Sequence, residues 1–292
     1  MCPPNLPNPN AASIPPQAFA DSVEHAQRTF KLTLAYDGSG YCGWQRQTGH
    51  PSIQAVVEEA ICKLTGHKNI ITRASSRTDT GVHALGQVVA FTTDLWRASA
   101  IHLTFALNTF LPRDIVVRHT EEVPLAFHPI QDCVGKRYRY QIYASRIADP
   151  LRKRFHWWTP RLIDVQSMRE AAQYLVGCHD FASFQTGGSP RKSTNRTVRE
   201  IAIQSRKAMD GWDVDIEVEA DGFLYNMVRN IAGTLVQVGH GRKSADWMAD
   251  VLQARDRRAA GQTAPPEGLF LLKVFYPQDE PSLQGLVGQA SS

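Results

Sequence analysis

The stretch Ser75-Ser76-Arg77-Thr78-Asp79-Thr80-Gly81-Val82-His83 concentrates an acid, a base, several hydroxyls and a glycine in one short polar segment. Loops of this kind, held between regular elements, often carry function. From composition alone an ordinary turn stays open as well, with Asp79 capping nearby amides and pairing with Arg77. Asp79-Thr80-Gly81 is also the triplet used by aspartic proteases, in which two carboxylates share one proton. That chemistry needs a second Asp-Thr-Gly or Asp-Ser-Gly, and the sequence contains none; the polar flanks also lack the apolar strand character such sites require. A zinc site built from His83 with Cys62, Cys178 or His179 would need spacings that match no common ligand set, so no metal is expected.

The elements around this segment are readable from periodicity. Phe30, Leu32, Leu34 and Tyr36 alternate with Lys31, Thr33 and Ala35, which predicts a strand ending in the turn Asp37-Gly38-Ser39-Gly40. Ser52 is placed to cap a helix whose apolar positions Ile53, Val56, Val57, Ala60, Ile61 and Leu64 share one face, with Gly66 to end it. A strand is predicted near Ile70 to Ala74, another over Gln87 to Thr92, and a helical segment near Ser99 to Phe110. From about Cys133 the pattern restarts, with a strand rich in Arg and Tyr and a helix capped by Asp164. Trp212, Val214, Ile216 and Val218 alternate with Asp213, Asp215, Glu217 and Glu219, predicting a half-buried strand whose acidic face should turn away from any phosphate-binding cleft. A helix over about Leu224 to Val238, one capped by Ser244, and a strand over Leu269 to Tyr276 complete the order.

The expected fold class is therefore α+β: two similar domains, 29–128 and 129–277, with mainly antiparallel sheets joined side by side and helices on one face. At 292 residues the chain is long enough for two such units. The flanking segments 1–28, rich in Pro, Asn, Ala and Ser, and 278–292 are expected to be disordered tails. No apolar run approaches the ~18 residues of a membrane span. Five scattered cysteines without a C-x-x-C pair, and no basic and apolar leader ahead of them, suggest a reducing cytoplasm.

A net charge of +4 says little by itself, but its distribution says more. Lys136, Arg137, Arg139, Arg146, Arg152, Lys153 and Arg154 are interleaved with Tyr138, Tyr140, Tyr143, Trp157 and Trp158. A second basic stretch holds Arg191, Lys192, Arg196, Arg199, Arg206 and Lys207. Phosphate-neutralising and base-stacking groups mixed in this way suit RNA; a solvated strand face with buried aromatics would read the same.

Eight fragments in order over nearly 250 residues resemble the tRNA pseudouridine synthase A family. They are Leu34-Ala35-Tyr36-Asp37-Gly38 with Gly43-Trp44-Gln45-Arg46-Gln47, Arg77-Thr78-Asp79-Thr80-Gly81-Val82-His83-Ala84 with Gly86-Gln87-Val88, Lys136-Arg137-Tyr138-Arg139-Tyr140, His179-Asp180-Phe181-Ala182-Ser183-Phe184, Asn226-Met227-Val228-Arg229-Asn230-Ile231, and Pro266-Glu267-Gly268-Leu269. Departures from the pattern are Ser76 where glycine is commoner, Thr80 where alanine is, and Phe127-His128-Pro129-Ile130 without the arginine that often follows.

The resemblance implies an enzyme that detaches uracil from its ribose in the tRNA anticodon stem-loop, at positions 38–40, and reattaches it through carbon. It implies no cofactor. Asp79 would be the catalytic carboxylate, stabilising or trapping the positive character that develops at the sugar, much as in glycosidases. Arg229 would pair with it, Tyr138 would stack on the flipped uracil, and Arg77 would help extrude the nucleotide. A homodimer is implied, with the tRNA spanning both subunits. A binding protein or tRNA chaperone on the same fold is the alternative.

Overall fold

The computed structural model describes residues 26–187 and 193–279. The order is β1 (Arg28–Tyr36), α1 (Ile53–Thr65), β2 (Arg73–Ala74), β3 (His83–Thr93), α2 (Ala100–Asn108), β4 (Ile115–Val123), β5 (Gly135–Ser145), β6 (Trp157–Thr159), α3 (Val165–Gln173), β7 (Gly177–Asp180), β8 (Asn195–Lys207), β9 (Gly211–Ala220), α4 (Met227–Gly239), α5 (Trp247–Ala254) and β10 (Leu269–Phe275).

The strands form one continuous sheet in the order β4-β1-β3-β10-β5-β9-β8-β7, with β2 on β3 and β6 on β5. The fold is α+β and largely antiparallel, as the sequence predicts. The sheets of the two halves are joined side by side, with β10 pairing in parallel with β3 and antiparallel with β5 down the middle. Side chains directly opposite one another share a face, so the register can be followed across the molecule. Ile115, Tyr36, Ala84, Leu271, Tyr138, Val218 and Ile201 are successive partners, and all are buried. The aliphatic members each contribute roughly 1.5–3 kcal/mol by leaving water. The apolar stripes of α1, α3 and α4 enter the same core.

The opposite face is charged. Arg137 Nη2 meets Glu219 at 2.6 Å and Glu200 at 3.0 Å, Arg139 Nη2 meets Glu217 at 2.6 Å, and Arg152 pairs with Asp213. The acidic face of β9 does turn away from the helical side, but it takes these arginines with it. The phosphate-binding reading of the first basic stretch is corrected here for Arg137, Arg139 and Arg152, which neutralise the neighbouring strand. Arg191 and Lys192 of the second stretch lie outside the described residues.

Local expectations hold with adjustments. Asp164 caps α3, accepting N–H bonds from Gln166 at 3.0 Å and Ser167 at 3.2 Å. Ser52 precedes α1, but its hydroxyl is buried and makes no bond among the described residues. The first amides of α1 donate instead to backbone carbonyls, Ile53 N to Gly43 O at 3.2 Å and Gln54 N to Trp44 O at 2.9 Å. α5 starts at Trp247 after Asp246 rather than at Ser244. Arg28, expected in the leading tail, opens β1. Asp279, expected in the trailing one, accepts the Tyr276 N–H at 3.0 Å; residues 1–25 and 280–292 of the expected tails lie outside the described residues.

Candidate active site

The Asp79 loop joins β2 to β3 and is fastened at several points. Tyr36 Oη lies 2.8 Å from Thr78 Oγ1, Trp44 N donates to Thr78 O at 3.0 Å, and Val82 N donates to Asp79 O at 3.1 Å. Gly43 has a φ of +83°, and a Cβ there would stand 2.5 Å from Thr78 O. Only glycine combines that backbone conformation with so close an approach. Gly81, at φ +78°, gives the turn that returns the chain into β3.

His83 follows at the start of β3, its ring stacked on Phe270 at 4.7 Å and tilted against Phe155 at 5.1 Å. Its Nδ1 accepts the Gly38 N–H at 3.1 Å. Burial pulls its pKa below the usual histidine value, against the opposing pull of Asp37. His83 therefore ties the Asp37 turn to the strand that leaves the loop.

The loop opens into a cleft of about 920 Å³. One wall is Trp44, Gln45, Gln54 and residues 72–79 from the first half; the other is Lys136, Tyr138 and residues 221–228 from the second, with Leu269 of β10 between. Two acids line it. Asp221 is exposed and accepts the Thr197 N–H at 3.0 Å. Asp79 keeps a third of its side-chain surface, 33%, and lies 3.8 Å from Arg229 Nη1. Burial raises the Asp79 pKa and the Arg229 charge lowers it, with burial the larger effect, so the net shift is upward.

Arg229 is itself held in place, donating to Ala264 O at 2.7 Å and to Asn226 Oδ1 at 2.9 Å. An exposed polar face on this helix is ruled out by Asn230, which is fully buried and bonded to Phe184 O at 2.7 Å. Tyr138, 7% exposed, meets Ser76 Oγ at 2.8 Å through its hydroxyl and Phe223 edge-on at 4.9 Å. Asp79 and Arg229 are thus in contact, and Asp79, Arg77 and Tyr138 line one cleft. Arg77 is exposed there, as is Arg73, which also borders a second cavity of about 390 Å³.

Residues 33–131 and 171–277 match the sequence profile of a family described as tRNA pseudouridine synthase. A tRNA pseudouridine synthase A of Acetivibrio thermocellus is 42% identical over 252 residues, covering 85% of this chain and 100% of that protein. The chain belongs to the tRNA pseudouridine synthase family. Enzymes of the same name from Thermoanaerobacter sp. (strain X514) and Myxococcus xanthus are each 42% identical, covering 85% and 86% of this chain and 100% and 93% of theirs.

Within this family member, the sequence did not mark Arg73, Lys136, Gln87 or Phe223 as site residues. Gln87 had a signal, a polar residue in an otherwise apolar strand. It is fully buried and donates to Ser76 O at 2.7 Å. Phe223 and Arg73 carried none, since their place in the cleft depends on pairings between distant strands. No helix among the described residues is long and apolar enough to cross a membrane, and no three His, Cys, Asp or Glu side chains gather there.

Proposed function

We propose that this chain isomerises uridine to pseudouridine in tRNA, with Asp79 as the carboxylate that acts on the sugar of the target nucleotide. The reaction breaks the bond from uracil N1 to the ribose, forms one from C5, expels the C5 hydrogen as a proton and leaves N1 carrying a proton taken up in exchange. The supporting observation is the pairing of Asp79 with Arg229 in a cleft faced by Tyr138, in a chain of this family. A carboxylate with partial exposure is open to substrate, and the fixed guanidinium opposes the desolvation that would neutralise it.

Tyr138 supplies the stacking surface for the flipped uracil, worth roughly 1–3 kcal/mol. Arg77 assists extrusion, and Arg77 and Arg73 grip phosphate. The halves 29–128 and 129–277 act as the two walls of the cleft. The substrate is the anticodon stem-loop, at positions 38–40, bound by shape and charge across a homodimer in the cytoplasm. The four described cysteines are free thiols, which accords with a reducing compartment.

Release of tritium from tRNA labelled at uracil C5 tests the reading, comparing the intact chain with Asp79→Asn. Release by the intact chain only is expected. A folded, tRNA-binding chain that releases none would instead be a non-catalytic RNA-binding protein.

A further inference from the structure

We propose that Ser76 is a positioning residue: its hydroxyl, bonded to that of Tyr138, fixes the ring on which uracil stacks and ties that ring to the loop bearing Asp79. The inference deepens the function proposed above and rests on it. The Ser75-Ser76 segment is gripped from both sides of the cleft. From the first half, Gln87 Nε2 donates to Ser76 O at 2.7 Å, and Ser75 Oγ donates to Gln87 Oε1 at 3.0 Å. From the second, Lys136 Nζ donates to Ser75 O at 2.7 Å, and Ser76 Oγ and Tyr138 Oη are 2.8 Å apart.

Lys136 and Tyr138 stand two residues apart on β5, so they point to one face of the strand. Two side chains of the second half are thereby latched to two consecutive residues of the first. Asp79 lies three residues beyond Ser76. Any drift of the Tyr138 ring relative to that carboxylate must first break the Ser76 bond.

The Tyr138 ring is already nearly buried, at the edge of the core. Phe223 blocks one side at 4.9 Å with its ring plane at 77° to that of Tyr138, and the Ser76 hydroxyl holds the far tip. The platform is therefore set before RNA arrives. Preorganisation of this kind acts on the chemical step, because a displacement of about 1 Å at a reacting centre is costly even where binding is intact. Affinity for tRNA comes instead mainly from phosphate contacts, those of Arg73 and Arg77 among them.

The test is steady-state tritium release from C5-labelled tRNA by the full-length chain with Ser76→Ala, Tyr138→Phe, both together, and Ser76→Thr. Ser76→Ala is expected to lower kcat about 3- to 10-fold, the loss of one ordinary hydrogen bond, with KM and melting temperature unchanged. The double variant should be no slower than Tyr138→Phe, because both changes remove the same bond, and Ser76→Thr should restore most of the rate. A normal kcat in Ser76→Ala, losses that multiply in the double variant, or no rescue by threonine would overturn the proposal while leaving the isomerase reading intact. Absence of release by the unaltered chain would overturn the isomerase reading, and this proposal with it.

Discussion

Arg229 Nη1 stands 3.8 Å from Asp79 Oδ2, yet burial outweighs that charge and Asp79 holds its proton more tightly than an ordinary carboxyl. The arginine is anchored by Ala264 and Asn226 rather than drawn into a close, two-pronged pair. A contact this long leaves the carboxylate oxygens available to a substrate, where a bidentate pair would occupy them.

Asp79→Asn is expected to abolish tritium release while tRNA binding persists. It should also raise the melting temperature near neutral pH. The folded-state pKa lies above the unfolded one, so the folded chain binds more protons between the two values, and stability from this group falls as pH rises through that window. Asparagine removes the cost. The gain over the unaltered chain should therefore shrink as pH drops toward about 3.9, the unperturbed Asp value, in thermal melts at several pH values.

Arg229→Lys should preserve the positive charge but lose the bonded fork that positions it. We expect kcat to drop at least tenfold, an effect of about 1.4 kcal/mol. The acid limb of the pH–rate profile should move little in this variant. In Arg229→Ala, where nothing opposes burial, it should move to higher pH. An Arg229→Ala profile matching that of the unaltered chain would show that the guanidinium does not tune Asp79.

Gly43→Ala should destabilise the chain by at least ~1 kcal/mol, from the positive φ alone, in a denaturant titration. The added carbon would press on Thr78 O, one residue before Asp79, so activity should fall even under conditions where the variant is fully folded. Gly40→Ala is the control, since a Cβ there meets nothing within 4 Å.

Arg73→Ala and Arg77→Ala should each lower the slope of log affinity against log salt by about 0.7–0.9, the value for one phosphate contact. Both side chains are exposed at the cleft. Arg137→Ala should leave the slope unchanged, because that guanidinium is committed to Glu219 and Glu200. Filter binding of tRNA across a salt series distinguishes the two classes.

The sequence was most legible where one element answers to one period. The helix of Ile53–Thr65 and the strand of Gly211–Ala220 follow their apolar spacing closely. β4 was missed because charges interrupt its apolar alternation, with Glu121 and Glu122 paired to Lys31 and Arg28. β8 was missed for a similar reason, its arginines and Glu200 hiding a thin apolar alternation of Val198, Ile201 and Ile203. Asp79, Arg77, Tyr138 and Arg229 were singled out as candidates only through the family resemblance, and the structure puts Asp79 and Arg229 in contact. What local pattern could not supply was the fate of the basic stretch around β5: a charge run reads alike whether it faces phosphate or a neighbouring acidic strand.

β10 has a further consequence for how the molecule comes into being. It is the last strand in the described chain and the one that sits between β3 and β5, with Leu269 inside the cleft. During synthesis both walls are made long before the strip that holds them together. Until Leu269–Phe275 has left the ribosome, the inner margins of β3 and β5 are covered only in part, by the short strands β2 and β6, and the rest of each is an open template for a stray strand. A polypeptide cut short ahead of β10 thus cannot hold a working site, and nascent chains that stall there should be the ones that call for a chaperone.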